Sequence, residues 1–326
     1  MLKNVGESRR VVNKLRDGDN EAVLFRQYSK YLKDKYNETV YRIGVDGGFS
    51  CPNRGNNRHN PGCSYCDVYG VRAAYIGESF QPLEEQIRRS AAVMRKRYKA
   101  ETFILYFQAY SSTFAPVDKL KKIYDHGLSL AKFVELVVST RPDCINEKIA
   151  DLLGSYVRDD FDVWVELGLQ SAHDKTLDRI NRGHDVKRFE RAYHMLRARG
   201  IKVAVHLIFG LPDEDRPEIL ETVRYLAALK PDGVKFHNLH IPTGSPLYKE
   251  YEAGELSFPD SYRHMTYVAD AIEMLPPETI IMRLTTDTPH QRHQLPGAFL
   301  NKSQVYDLLK KELSSRGTRQ GSLYKE

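Results

Sequence analysis

Three cysteines lie within sixteen residues of this sequence and could hold a metal centre. Cys51, Cys63 and Cys66 follow a C-x11-C-x2-C pattern, and the fourth cysteine, Cys144, lies far from them. Thiolates are soft ligands that suit zinc and iron–sulfur clusters. The residues between them are rich in Gly, Pro and Asn, which lets a loop wrap around such a centre. In a chain that shows no secretory signal, this clustering indicates metal binding rather than disulfides.

Two kinds of centre fit these thiols. His59 lies between Cys51 and Cys63, so a closed Cys3His zinc site is one interpretation. The other is a 4Fe–4S cluster, for which complete ligation by the protein would need a fourth cysteine. A cluster held by three cysteines would leave one iron free for a substrate or cofactor. The spacing alone does not distinguish zinc from a cluster.

The elements that must position this segment alternate between strand and helix. Apolar runs of strand length occur at 39–45, 102–108, 133–138, 163–169, 202–209 and 233–238. Segments with helical spacing follow at 82–98, 117–130, 145–156, 187–199 and 214–229. Such β-then-α units predict a parallel sheet with right-handed crossovers, either open or closed into a barrel. No G-x-G-x-x-G follows the first strand, which disfavours the dinucleotide folds that use this motif.

The pattern changes after residue 245. Helices are predicted at 247–254, 262–274 and 303–315, and one more strand at 279–284. We therefore predict three parts: a basic N-terminal extension (1–38), a β/α core (39–245), and a short α-rich C-terminal extension packed on the core (246–326).

Hydrogen-bonding residues follow the apolar part of five strands. These polar exits are residues 108–113, 139–143, 166–171, 206–212 and 237–242. Turn chemistry would explain one of them, but five beside a thiol-rich loop favour a site. In a parallel barrel, the carboxyl ends of the strands carry the active site.

Composition limits the class of protein. The 326 residues are 41% hydrophobic and 28% charged, which predicts a globular protein rather than a mainly disordered one. No run of 18 apolar residues and no N-terminal apolar segment is present, so we expect no membrane contact, no secretion and a cytoplasmic location.

Residues 1–35 carry nine Lys/Arg against five Asp/Glu, and residues 301–326 carry six against three. Basic ends of this kind either attract a polyanion such as RNA or are simply solvated.

Taken together, these motifs resemble the radical SAM superfamily. The resemblance rests on the cysteine segment after the first strand, the Glu-Leu-Gly-Leu-Gln-Ser run at 166–171, Asn-Arg-Gly-His at 181–184 and Gly-Leu-Pro at 210–212. Within the superfamily, the chain looks closest to the group of the Elongator catalytic subunit, the methylthiotransferases and coproporphyrinogen dehydrogenase. The eleven-residue cysteine spacing, Cys-Pro-Asn-Arg at 51–54, and residues 106–110, 141–145, 283–285 and 316–318 resemble the YhcC-type bacterial branch. The likeness covers about residues 25–321.

The resemblance implies an α/β fold, a partial (β/α)6 TIM-like barrel. It implies a 4Fe–4S cluster held by Cys51, Cys63 and Cys66, whose open iron takes the amino and carboxylate groups of S-adenosylmethionine. Reductive cleavage would then release methionine and a 5′-deoxyadenosyl radical, which abstracts a hydrogen atom from the substrate. The implied tasks of the protein are cofactor placement, redox tuning and protection of the radical. The runner-up function is a zinc-stabilised, non-catalytic α/β protein that binds nucleic acid.

The resemblance also implies contacts to S-adenosylmethionine at individual positions of this sequence. The turn Gln108, Ala109, Tyr110 and Ser111 would offer backbone groups to the methionine part. Ser139 stands where relatives often have an acidic ribose contact, and Gln170 and Arg182 match a pair that binds ribose and carboxylate. His206 takes a position that is polar in relatives, and Leu239 would pack on adenine.

The resemblance also implies partners and exclusions. It implies an external electron donor of the flavodoxin or ferredoxin type, and a substrate that is either RNA or a small metabolite. Methylthiotransferase relatives need three further cysteines, whereas only Cys144 remains here. About 80 residues after the core are too few for the acetyltransferase domain of the Elongator relative, given a usual domain size of about 100–150 residues.

Overall fold

Seven parallel strands form the sheet on which the polar exits are arranged. The computed structural model describes residues 23–55, 57–66, 80–243, 245–286, 294–295 and 299–325, so the basic segment at 1–22 lies outside the described residues. The strands are β1 (Val40–Val45), β2 (Thr102–Phe107), β3 (Phe133–Thr140), β4 (Asp162–Gln170), β5 (Lys202–Phe209), β6 (Gly233–Asn238) and β8 (Ile280–Arg283). They pair in the order β1-β2-β3-β4-β5-β6-β8. A short antiparallel pair, β7 (Ile241–Pro242) and β9 (Gln294–Leu295), lies apart from this sheet.

Helices connect the strands as the alternating pattern predicts. They are α1 (Tyr28–Tyr36), α2 (Leu83–Tyr98), α3 (Val117–Ser129), α4 (Glu147–Gly154), α5 (Asp174–Arg179), α6 (Val186–Arg197), α7 (Arg216–Leu229), α8 (Pro246–Glu252), α9 (Ser261–Met274) and α10 (Lys302–Arg316). A 3-10 turn covers Pro142–Cys144. The predicted partial α/β barrel is thus confirmed, with one extension: β8 joins the sheet as a seventh strand beside β6.

The two faces of the sheet have different surroundings. On β4, Val163, Val165 and Leu167 belong to the large apolar core that includes residues of α2, α3, α4, α6 and α7. Because side chains alternate along a strand, Trp164 and Glu166 lie on the opposite, inner face. Tyr28, Tyr31, Leu32 and Tyr36 of α1 pack with Trp164 there. This helix contacts both β1 and β8, the two edge strands, so it covers the inner face where the sheet's edges approach each other.

The C-terminal segment packs on the core. Helix α9 contacts α7, and α10 contacts α9. Arg316 of α10 pairs with Asp270 at 2.8 Å and Glu273 at 3.2 Å, both on α9. The backbone N–H of Gln320 donates to the Leu24 carbonyl, which joins the C-terminal segment to the region before α1. In the described part of the chain, no helix is both long enough and apolar enough to cross a membrane.

Candidate active site

The Cys loop, residues 51–66, begins six residues after β1 ends. Cys51 starts a tight turn, because its carbonyl accepts the backbone N–H groups of Arg54 at 3.0 Å and Gly55 at 2.9 Å. Farther along, the Ser64 N–H donates to the Ile180 carbonyl at 2.9 Å, which anchors the loop to the end of α5. The loop is therefore held between the exits of β1 and β4.

Arginine side chains surround two of the three loop thiols. Arg54 donates to Cys66 Sγ at 3.0 Å. Cys63 Sγ lies 3.6 Å from Arg141 Nη1, 3.7 Å from Arg182 Nη1 and 3.4 Å from Asn53 Nδ2. Cys51 and Cys63 are buried and Cys66 is half-buried, and all four cysteines are free of disulfides.

The cations act differently on the two thiols. Burial opposes ionisation of Cys63, but the Arg182 and Arg141 guanidiniums outweigh it and hold the pKa of this thiol below its ordinary value. Burial raises the pKa of Cys66 to about 11, against the lowering effect of Arg54. Burial also raises the pKa of Cys144, in the 3-10 turn, to about 12. Among these three thiols, the surroundings therefore favour the thiolate form only at Cys63.

A buried carboxylate fixes the start of the loop. Asp46, which directly follows β1, accepts the Gly48 N–H at 2.9 Å and pairs with Arg58 Nη2 at 2.6 Å. Gln86 of α2 donates to the Asp46 carbonyl at 3.0 Å and accepts its N–H at 2.8 Å. Because Arg58 belongs to the Cys loop, these bonds join β1, α2 and the loop into one rigid unit.

The turn predicted to contact the methionine part lies beside the Cys loop. The Gln108 N–H donates to the Val45 carbonyl, and the Ser111 N–H donates to the Ser50 carbonyl, both at 3.1 Å. Ala109 and Ser111 are buried. The Tyr110 backbone is in the left-handed region at φ 59°, and the Arg58 guanidinium stacks 4.1 Å from its ring centre.

Gln170 and Arg182, twelve residues apart in sequence, meet around Gly168. Arg182 donates to the Gly168 carbonyl at 3.0 Å. A Cβ at Gly168 would lie 2.4 Å from Gln170 Nε2 and 2.5 Å from Arg182 Nη2, so a side chain there would displace these two polar groups. Gln170 ends β4 at φ 73°, a conformation that is costly for a residue other than glycine. Arg182 is buried, so it is not a surface arginine.

The other predicted contacts lie at three separate places. The Ser139 carbonyl at the end of β3 accepts the Ser112 N–H at 3.0 Å. The His206 ring on β5 lies 5.1 Å from that of His237 on β6. Leu239 is buried in an apolar cluster that includes Ile208, Leu211 and, from the Cys loop, Tyr65. Leu239 and Tyr65 of the Cys loop thus belong to the same apolar cluster.

Beneath these residues, the inner face of the sheet carries a charged layer. The inner charged layer consists of Arg42, Tyr106, Glu166, His206 and Lys235, one residue from each of five strands. Glu166 is fully buried and accepts hydrogen bonds from Arg42 at 2.6 Å, His206 at 3.2 Å, Tyr106 and Lys235. Although burial opposes it, Lys235 and Arg42 hold the pKa of Glu166 well below its ordinary value. Burial lowers the pKa of His206 to about 4.

Sequence reasoning assigned no role to several residues of this region. Arg54, Asn53 and Arg141 lie against the thiols, and Arg42 and Lys235 pair with Glu166. The first group stood inside segments that the sequence had already singled out, at 51–54 and 141–145. The sequence gives a weaker indication for Arg42 and Lys235, because each is only a cation inside an otherwise apolar strand.

The alternative zinc site finds no support. The described residues contain no group of three His, Cys, Asp or Glu side chains that could hold a metal ion. His59, the proposed fourth ligand, is exposed. An iron–sulfur cluster is larger than one ion, so its thiolates are spaced more widely than those of a zinc site.

Comparison with known proteins places the chain in a family. Residues 51–226 match the radical SAM superfamily, and residues 231–315 match the radical SAM C-terminal domain. The chain is 36% identical over 305 residues to the protein YtqA of Bacillus subtilis, covering 94% of each chain. It is 40% identical over 264 residues to the protein YhcC of Escherichia coli, covering 80% of this chain and 83% of YhcC.

A solved structure shares the fold. The archaeal Elp3 of Methanocaldococcus infernus superposes with a TM-score of 0.65 at 18% identity. The match covers 86% of this chain and 64% of that structure. At this level of identity the likeness extends to the architecture alone.

Proposed function

The chain belongs to the radical SAM superfamily, and from that premise we propose that it is an enzyme in which Cys51, Cys63 and Cys66 hold the 4Fe–4S cluster used to cleave S-adenosylmethionine. The observation that carries this proposal is the convergence of guanidinium donors on Cys63 and Cys66. Members of this superfamily use a 4Fe–4S cluster and S-adenosylmethionine, and when bound these groups supply a radical that abstracts a hydrogen atom. The chain's own residues then bind, orient and shield them.

The donor set fits a cluster with one open iron. Three free thiols lie on one loop, and the fourth, Cys144, belongs to the turn after β3. Thiolates that ligate a cluster accept hydrogen bonds, and Arg54, Asn53, Arg141 and Arg182 already donate to the sulfurs. These donors also compensate the negative charge that the ligated thiolates carry.

Residues at the strand exits are proposed to hold S-adenosylmethionine. The turn Gln108–Ser111 presents backbone groups beside the Cys loop, and Gln170 lies next to Arg182, whose guanidinium is suited to a carboxylate. Ser139 and His206 stand at neighbouring exits. Leu239 supplies an apolar surface for the adenine, and its cluster with Ile208 and Tyr65 keeps water from that side. Asp46 and Gln86 restrict movement of the loop relative to these contacts.

The substrate is proposed to be RNA or a small metabolite, and an external donor of the flavodoxin or ferredoxin type is proposed to supply the electron. Among the basic residues at the ends, Lys310 and Lys311 lie on α10, while Arg9 and Arg10 lie outside the described residues. RNA bound through these ends would lose affinity with salt, with a slope of roughly −0.7 per phosphate contact. Titration of bulk tRNA with wild-type protein and with a variant neutralised at these four positions separates the two substrate classes.

Turnover of the cofactor tests the function itself. Anaerobically reduced protein mixed with S-adenosylmethionine should release 5′-deoxyadenosine and methionine, even without substrate. Protein in which Cys63 is changed to Ser should release neither. A fully iron-loaded wild-type protein that forms no 5′-deoxyadenosine under strong reduction would contradict the proposal.

A further inference from the structure

Arg54 is a buried arginine inside the spacer between Cys51 and Cys63. It is 1% exposed and is among the largest fully buried side chains of the described residues. A guanidinium stays charged at any physiological pH, so it is stable in the interior only if acceptors surround it. The acceptors of Arg54 therefore indicate its role.

Those acceptors include loop carbonyls and a cysteine sulfur. Arg54 Nη1 donates to the carbonyls of Arg58 at 3.0 Å and Asn60 at 2.6 Å, and Nη2 donates to Cys66 Sγ at 3.0 Å. Asn60 in turn donates to the Arg54 carbonyl at 3.0 Å. Spacer carbonyls thus bind one nitrogen of the guanidinium, and the other nitrogen donates to Cys66, a proposed cluster ligand.

The spacer folds around the Arg54 guanidinium. Eleven residues separate Cys51 from Cys63, and the chain between them has to pass around the guanidinium. The chain then returns so closely that a Cβ at Gly62 would lie 3.1 Å from Arg54 Nε. The spacer therefore encloses Arg54 and brings Cys63 and Cys66 back toward Cys51.

Arg54 differs from the other arginines near the thiols. Arg141 and Arg182 approach Cys63 Sγ at 3.6 and 3.7 Å, longer than the 3.0 Å between Arg54 and Cys66. Arg141 also pairs with Asp143 through two contacts of 2.9 Å, which offsets its charge. Among the described arginines that contact the loop thiols, Arg54 therefore makes the shortest contact with a sulfur.

We propose that Arg54 is a counter-cation built into the Cys loop, which positions Cys66 and raises the reduction potential of the bound cluster. The inference rests on the proposed ligand set. Reduction adds one electron from a low-potential donor to the cluster, which gains one negative charge and changes no covalent bond. A nearby cation and a hydrogen bond to a ligand sulfur both stabilise the reduced form more than the oxidised form.

Redox titration of iron-loaded protein without S-adenosylmethionine tests this proposal. Arg54→Gln removes the charge, Arg54→Lys keeps it, and Arg88→Gln removes an exposed arginine of α2 as a matched control. The midpoint potential is followed by the EPR signal of the reduced cluster. For Arg54→Gln we expect at least a tenfold less favourable reduction, about 59 mV more negative for one electron. Arg54→Lys should stay within about threefold of wild type, and Arg88→Gln should match it.

The outcomes separate this inference from the proposed function. A wild-type protein that binds no cluster would refute the ligand set itself. A wild-type cluster with an unchanged potential in Arg54→Gln would refute only the role of Arg54. If Arg54→Gln cannot be loaded, Arg54→Lys decides: a cluster at the wild-type potential supports the role of the charge, and failure to load overturns it.

Discussion

The Cys loop and the inner charged layer both place cations in the interior of the protein, but they direct them at different acceptors. In the layer, Arg42 and Lys235 converge on the carboxylate of Glu166, so the cations and their counter-charge come from the same set of strands. In the loop, Arg54 and Arg182 donate to sulfur atoms, which carry full negative charge only when deprotonated or bound to metal. In the layer the protein itself supplies the carboxylate that the cations contact, whereas the loop is arranged for a group that brings negative charge with it.

The largest effect on stability is expected at the centre of the layer. Glu166→Gln should lower the free energy of unfolding by about 3–5 kcal/mol, because it removes the carboxylate partner of the buried Lys235 and the partly buried Arg42. Denaturant unfolding measures this, with Glu84→Gln on the exposed surface of α2 as the control, expected to leave it nearly unchanged. A loss of similar small size in both variants would mean that the layer is not a stabilising unit.

A smaller effect, on the affinity for S-adenosylmethionine rather than on folding, is expected at Gln170 and Arg182. Gln170→Ala and Arg182→Ala should each weaken binding of S-adenosylmethionine by about 1–3 kcal/mol, since each strands a polar partner. Isothermal titration of iron-loaded protein measures the affinity. Gln170→Ala should keep its full iron content, while Arg182→Ala also removes a donor to Cys63 and should retain less. Unchanged affinity in both variants would remove these residues from the proposed cofactor site.

The last effect, similar in size to that on ligand affinity, is a pH dependence of stability that arises in the layer. His206 has a pKa of about 4 in the folded protein, mainly because of burial, against about 6.5 when unfolded. Between these values the unfolded chain binds one more proton, so stability falls as the pH falls from 6.5 towards 4, by up to about 1.4 kcal/mol per pH unit. Unfolding at pH 5.0 and 7.0 should therefore show a shallower dependence in His206→Gln than in wild type. An identical dependence in the two proteins would show that His206 is not held neutral.

The contrast between the Cys loop and the inner charged layer also explains which features the sequence could predict. The thiols of the Cys loop are neighbours in sequence, so their spacing alone indicated a metal centre. The partners of Glu166 come from β1, β2, β5 and β6, and only the register of a folded sheet brings them together. The strands were predicted nearly to the residue, because both of their faces are buried and their apolar runs are continuous.

Other features were missed for physical reasons. Helix α1 lies within the segment that its charges marked as a basic extension, yet Tyr31 and Leu32 pack against the inner face of the sheet. Helix α5 has six residues, too few to show a helical period. The role of Arg54 depends on a loop that folds back on itself, and neither helical nor strand periodicity describes such a loop.

Iron and sulfide content, measured on anaerobically purified protein, tests the central claim most directly. The wild type and Cys144→Ala should each hold about four iron and four sulfide per chain, because the three loop thiols are enough for one 4Fe–4S cluster. Cys51→Ala, Cys63→Ala and Cys66→Ala should each lose it. Stoichiometric zinc without iron in the wild type, or loss of the cluster in Cys144→Ala, would contradict the account.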